Sequence, residues 1–175
     1  ITGMHPSRFL LAAAGVLFAA GCTVPMAGAP STNAPATGNS SYSARESQIF
    51  DLINAQRRRQ GLQPLVYNAQ LDRMAKIQAE NMARFQKMAH TLPGSSLPTV
   101  GDRAKYVGYM YGKLEENVAL GYPSAEAVVE GWMNSTGHRR NILDREVVET
   151  GIGIARSSAG GVYYCQVFGR QLTSL

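Results

Sequence analysis

The 175-residue chain contains three histidines, His5, His90 and His138, and the last two have the most chemistry to offer. An imidazole titrates near neutral pH and, when neutral, is an apt ligand for a divalent ion. His90 precedes the turn-rich stretch TLPGSSLP and His138 follows Gly137, so neither sits inside an apolar period. Side chains at such places can face a shared site. Two neutral imidazoles, one oxygen from Glu115 or Glu116 and a water would complete a shell around Zn2+. The same carboxylates could accept a proton from metal-bound water, which makes Glu116 a candidate catalytic base in a metal-assisted hydrolase. The competing reading of two histidines so far apart is a pair of independent polar side chains. The two cysteines, Cys22 and Cys165, allow one bridge at most and no disulfide framework. The chain carries no HExxH, no CxxC pair, no phosphate loop or dinucleotide fingerprint and no GxSxG elbow.

These residues need elements to hold them. Ser43 with Glu46 forms a capping-box signature, and Ile49, Phe50 and Ile53 follow at helical spacing toward a stop at Gly61, with Arg57 to Arg59 on the opposite face. Leu71, Ala75, Met82, Phe85 and Met88 keep the helical period from Asn68 to about His90, so the methionines and Phe85 read as core. Between Thr99 and Tyr122, glycines and tyrosines interrupt short apolar pieces, and the expectation is a short helix followed by irregular structure. Ser124 begins a helix that buries Val128 and Trp132 and closes before Gly137; His138 and Asn141 follow in a short helical segment or tight loop. ETGIGIAR and GGVYYCQVFG pair as antiparallel strands about the SSAGG turn, and the glycines of TGIGIA let another element approach closely. Helices first and a hairpin last indicate an α+β fold, an α-β-α sandwich with a small antiparallel sheet between helical layers.

The amino-terminal region reads as an address. Arg8 precedes 13 uncharged residues from Phe9 to Gly21, too few to span about 30 Å of hydrocarbon but suited to a secretory signal. Ala19, Ala20 and Gly21 precede Cys22 as in a bacterial lipoprotein signal, the alternatives being an ordinary secretion signal or a buried helix. Residues 1–21 are thus the expected signal peptide, Cys22 the expected lipid-bearing (palmitate) residue, and residues 22–42, rich in Pro, Gly, Ser and Ala, a flexible linker. The folded domain is expected at residues 43–169 with a tail at 170–175. Seventeen Lys and Arg oppose 12 Asp and Glu, a net +5 spread along the chain, which is no nucleic-acid footprint.

His90, EENVALG (residues 115–121), VVEGWMNSTGHRRNIL (128–143), TGIGIA and YYCQVFG (163–169) occur in the order found in bacterial CAP domains. The chain from Ser43 to Gly169 resembles this family of SCP-like extracellular domains, within the superfamily of cysteine-rich secretory proteins, antigen 5 and pathogenesis-related 1 proteins. The resemblance implies an α-β-α sandwich whose cleft holds His90, Glu116 and His138, with His90 and His138 as metal ligands in members that bind zinc. Glu115 replaces the usual glycine and adds a carboxylate. A second cleft glutamate has no counterpart, because Met133, Asn134 and Ser135 follow Trp132. Asn134, Ser135 and Asn141 are expected to orient the His138 segment through hydrogen bonds. Cys165, in place of an aromatic residue, reads as a small core side chain. The functional expectation is a non-enzymatic module, exported and tethered to the cell-envelope membrane through Cys22, that binds a lipid, glycan or peptide. The alternative is a zinc-dependent hydrolase of peptide or cell-wall substrate with a glutamate as general base.

Overall fold

The computed structural model describes residues 43–172, so the expected signal, Cys22, the whole of the expected linker and the last three residues of the expected tail lie outside the described residues. The first helix, α1 (Ala44–Arg59), starts where its capping box places it: Ser43 Oγ accepts the Glu46 N–H, and Glu46 Oε2 accepts the Ser43 N–H at 2.7 Å. Arg57 departs from its expected solvent-facing role. It is buried, and its guanidinium donates to the carbonyls of Gln63, Ile142, Asp144 and Val147, clamping α1 onto distant backbone that would otherwise be left with buried, unmatched acceptors.

A two-residue strand, β1 (Val66–Tyr67), leads into α2 (Ala69–Phe85), whose N-cap Asn68 accepts from the N–H groups of Gln70 and Leu71. The helix stops at Phe85, five residues short of His90. Gln86 turns left-handed at φ 51° and Lys87 N–H bonds back to Met82 O, a helix-ending geometry reached here without glycine. As a result, Leu71, Ala75 and Met82 are buried as expected, whereas Phe85 and Met88 are exposed. His90 is consequently carried by a loop.

Next come α3 (Val100–Val107), β2 (Tyr111–Leu120), α4 (Ala125–Asn134), α5 (Thr136–Ile142), β3 (Glu149–Arg156) and β4 (Val162–Gln171). β2 replaces the irregular structure expected after α3. Nine of its ten residues pair along β4, with a register shift at Gly112, and β4 supplies the hydrogen-bonding partner that a local reading of glycines and tyrosines does not reveal. β4 itself runs two residues past Gly169. The sheet order is β1-β3-β4-β2, with β1 parallel to β3 and the other pairs antiparallel.

Alternation along the strands divides the interior in two. On one face, Ile49 and Ile53 of α1, Val128 and Trp132 of α4 and Ile142 of α5 pack on Ala119, Ile152, Tyr164 and Phe168. On the other, Leu71, Met74 and Met82 of α2 and Ala104 of α3 pack on Val118, Cys165 and Val167. This is the expected α-β-α sandwich. The approach of α2 is very close: a Cβ on Gly151 would fall 1.9 Å from Asp72 N, and one on Gly153 2.4 Å from Ala75 C. Both cores lie within the described residues 43–172. Among the described residues no helix is long and apolar enough to cross a membrane.

Candidate functional site

β2 is an edge strand, and the site is built where the loop after α2 and the helices α3 and α5 meet it. Glu116 shares the sheet face of Val118, toward α2 and α3, and its side chain is 4% exposed. A buried carboxylate must have partners. Arg103 of α3, fully buried, donates from Nη2 to Glu116 Oε2 at 2.5 Å. His90 Nδ1 lies 3.0 Å from Glu116 Oε1, and the Cys165 thiol points at Oε2 from 3.5 Å. The result is a string running outward, Arg103 to Glu116 to His90, that ends on a ring still 58% exposed.

The bond to Glu116 favours the charged imidazolium and raises the His90 pKa above its ordinary value, against the opposing effect of partial burial. His138, on α5, shifts the other way: desolvation lowers its pKa, and the nearby positive charge of His90 lowers it further. The two histidines therefore sit within electrostatic reach of each other while favouring opposite protonation states. α5 is held in register by Asn117 of β2, whose Nδ2 donates to His138 O at 3.1 Å. Asn141 completes the tie by donating to Asn117 Oδ1 at 2.9 Å and to Glu116 O at 3.3 Å. Trp132 Nε1 donates to Val118 O, so the buried indole fastens α4 to the same strand.

Not every expected site residue joins this group. Strand alternation sends Glu115 to the opposite face from Glu116, where Lys113 lies 3.4 Å from it and also bridges to Asp144 at 3.0 Å. Burial and the Asp144 charge raise the Glu115 pKa, partly offset by Lys113. Its carboxylate is separate from His90. Asn134 is exposed at the end of α4, and Ser135 occupies the α5 N-cap without a side-chain cap bond; of the three expected orienting residues, Asn141 makes the connection to the strand. Cys165 is buried, and burial pushes its thiol pKa well up, so it is no thiolate nucleophile.

Two residues escaped the sequence reading. Arg103 lies with Val100, Ala104 and Val107 at the i, i+3, i+4, i+7 positions of α3, the pattern of a buried stripe. A charged residue on that stripe calls for a buried counter-charge, and that was the legible signal. Asn117 had no such signal, because its role depends on recognising β2 as a strand.

The donor set bears directly on zinc. Glu116 has both oxygens engaged, Arg103 opposes a cation there, and His90 Nδ1 is already bonded. His90 Nε2 and the His138 ring remain. Among the described residues no group of three or more His, Cys, Asp or Glu side chains is arranged to hold an ion. The residues do not fit a zinc held by three protein ligands.

A mixed four-stranded sheet between two helical layers, with two histidines and a carboxylate at one edge, defines an SCP-like α-β-α sandwich rather than a nucleotide-binding architecture. The chain belongs to the cysteine-rich secretory protein family (CAP), whose model matches residues 50–168. It is 35% identical over 142 residues to the uncharacterized protein YkwD of Bacillus subtilis, covering 81% of this chain and 54% of that protein. An extracellular protein containing a SCP domain from Bacillus anthracis superposes with a TM-score of 0.66 at 31% identity, over 73% of this chain and 40% of that one. An outer surface protein of Borrelia burgdorferi gives a TM-score of 0.66 at 21% identity, over 72% of this chain and 92% of that one. The chain thus spans about half of YkwD.

Proposed function

We propose that the protein is an exported, envelope-tethered CAP module that binds a ligand, a lipid, glycan or peptide, at the His90, Glu116 and His138 site without transforming it. The observation that carries this reading is the commitment of Glu116. A carboxylate bonded on both oxygens to Arg103 and His90 serves to fix and charge an imidazole, whereas a general base needs a lone pair open to substrate or water. His90 then presents Nε2 outward as a donor for a polar or anionic ligand group, and His138 offers a neutral ring beside it. The extracellular setting of the Bacillus anthracis relative, together with the amino-terminal signal reading, supports export, and Cys22 is the proposed lipid anchor. Divalent metal would meet only His90 Nε2 and His138, so zinc binding is proposed as weak and exchangeable, a Lewis acid lacking a third protein ligand.

The test compares wild type, Glu116→Gln and His90→Ala/His138→Ala on a panel of peptides, peptidoglycan fragments and lipids, with binding read by calorimetry and turnover by product mass. The binding reading expects one ligand class to bind wild type, to be lost in the double histidine variant, and to be recovered unchanged. Turnover by wild type that disappears in folded Glu116→Gln would establish the hydrolase instead.

A further inference from the structure

Gly121 N–H donates to Val162 O at 2.9 Å, continuing the register in which Leu120 faces Tyr163. Antiparallel ladders alternate, so Ala119, Asn117 and Glu115 bond to β4, while Val118 and Glu116 turn their N–H and C=O groups away from it. The two outward carbonyls are occupied, Glu116 O by Asn141 Nδ2 and Val118 O by Trp132 Nε1. The Glu116 N–H shares that outward edge and meets no acceptor among the described residues. Glu116 is 8% exposed as a whole and 4% in its side chain, so its main chain is the more exposed part. A main-chain donor so placed needs water or a ligand.

Both histidines close on this one residue. His90 bonds the Glu116 carboxylate from the α2 side. His138 and Asn141 are three residues apart on α5 and share a helix face, which Asn141 turns to the Glu116 carbonyl. The carboxylates nearby do not oppose an anion at the N–H. The Glu116 side chain points into the α2 and α3 layer, where Arg103 neutralises it. Glu115 and Asp144 lie on the other sheet face and share Lys113, and the charge that acts on His138 is the positive one of His90. An extended peptide strand is a poorer occupant of this edge, because strand addition needs open carbonyls as well as N–H groups. A metal cation is repelled by an N–H dipole and belongs elsewhere.

We propose that the outward N–H of Glu116 is an anion subsite, which holds a carboxylate or phosphate oxygen of the ligand beside His90 Nε2. This subsite rests on the ligand-binding reading of the histidine site and narrows it to ligands with an acidic group. One residue then serves in three ways: its carboxylate braces His90, its carbonyl seats the helix of His138, and its N–H meets the ligand. Main-chain donation of this kind is independent of the side chain at 116, so its signature is the amide itself.

The experiment follows the amide resonances of the nitrogen-15 labelled full chain in detergent micelles as inorganic phosphate and, separately, acetate are added at matched ionic strength. The Glu116 amide proton should move downfield and saturate with at least one of them, while the Glu115 and Asn117 amides, tied to β4, stay in place. The anion that binds more tightly identifies the ligand's group as phosphate or carboxylate. His90→Gln should weaken that binding by about tenfold, since a hydrogen bond to a charged group is lost beside the N–H. A Glu116 amide unmoved by both anions, or equal movement of Glu115 and Asn117, would overturn the subsite in the wild-type protein alone. So would His90→Gln titrating like wild type with its β4 amides at wild-type positions. A lipid, glycan or peptide that binds in calorimetry and shifts both imidazoles without shifting the Glu116 amide would reject this subsite and leave the ligand site standing.

Discussion

Replacement of Arg103 by alanine tests the string that holds His90. The guanidinium is fully buried and is bonded to a carboxylate that is itself 4% exposed. Removing it leaves Glu116 with the His90 ring and a weak thiol donor, and deletion of one partner of a buried pair costs about 3–5 kcal/mol. Against a total stability of about 5–15 kcal/mol, that is a large fraction. At roughly 4 °C per kcal/mol for a domain of this length, the melting temperature should fall by about 12–20 °C. The assay is thermal unfolding followed by circular dichroism at neutral pH. A second variant separates loss of packing from loss of charge balance. Arg103→Met/Glu116→Leu removes both ions and keeps apolar volume, so it should lie within about 2 kcal/mol of wild type, far above the single variant. His90 tolerates the change because water can reach its ring. If Arg103→Ala melts within about 4 °C of wild type, or the double variant falls as far as the single one, the ion pair is not what organises this corner.

Three further outcomes follow from the geometry. His90 has a folded-state pKa above its unfolded value, so its bond to Glu116 adds stability that is fully present below about pH 6.5 and is lost as pH rises through the folded value. The stability gap between wild type and His90→Ala should accordingly narrow in alkaline solution; a gap that widens with pH would contradict the assignment. Gly151→Ala should cost about 3 kcal/mol or more in urea denaturation, because its Cβ would collide with the α2 backbone rather than with a movable side chain. A change below about 1 kcal/mol would mean that α2 can retreat from β3. For the anchor, intact mass of membrane-extracted protein should show acyl chains on Cys22, and Cys22→Ala should shift the protein to the soluble fraction; identical mass and partitioning would remove the tether.

The sequence was most informative where chemistry is local. The Ser43 and Glu46 capping box, the helix start at Asn68 and the β3–β4 hairpin are specified by neighbours a few residues apart, and the structure has each of them. β2 was opaque because its partner, β4, lies some fifty residues later and supplies the pairing that its glycine and tyrosines do not advertise. That single omission misplaced Glu115, since only a strand sends neighbouring glutamates to opposite faces. Likewise, Phe85 and Met88 keep the apolar period toward His90, while the chain turns at Gln86, a residue with no compositional warning. Family resemblance brought His90, Glu116 and His138 to one place; Arg103, which ties the carboxylate to the opposite helix, was readable only from its position on a buried stripe.

The central claim is that His90 and His138 form one ligand site whose glutamate is a fixed brace. The most direct test follows the nitrogen-15 signals of both imidazole rings while lipid, glycan and peptide probes are added in turn. The account predicts that one probe class moves His90 and His138 together at a single affinity, with His90 Nδ1 protonated throughout and the probe recovered intact. Rings that respond independently, or that stay unmoved by every class, would contradict it.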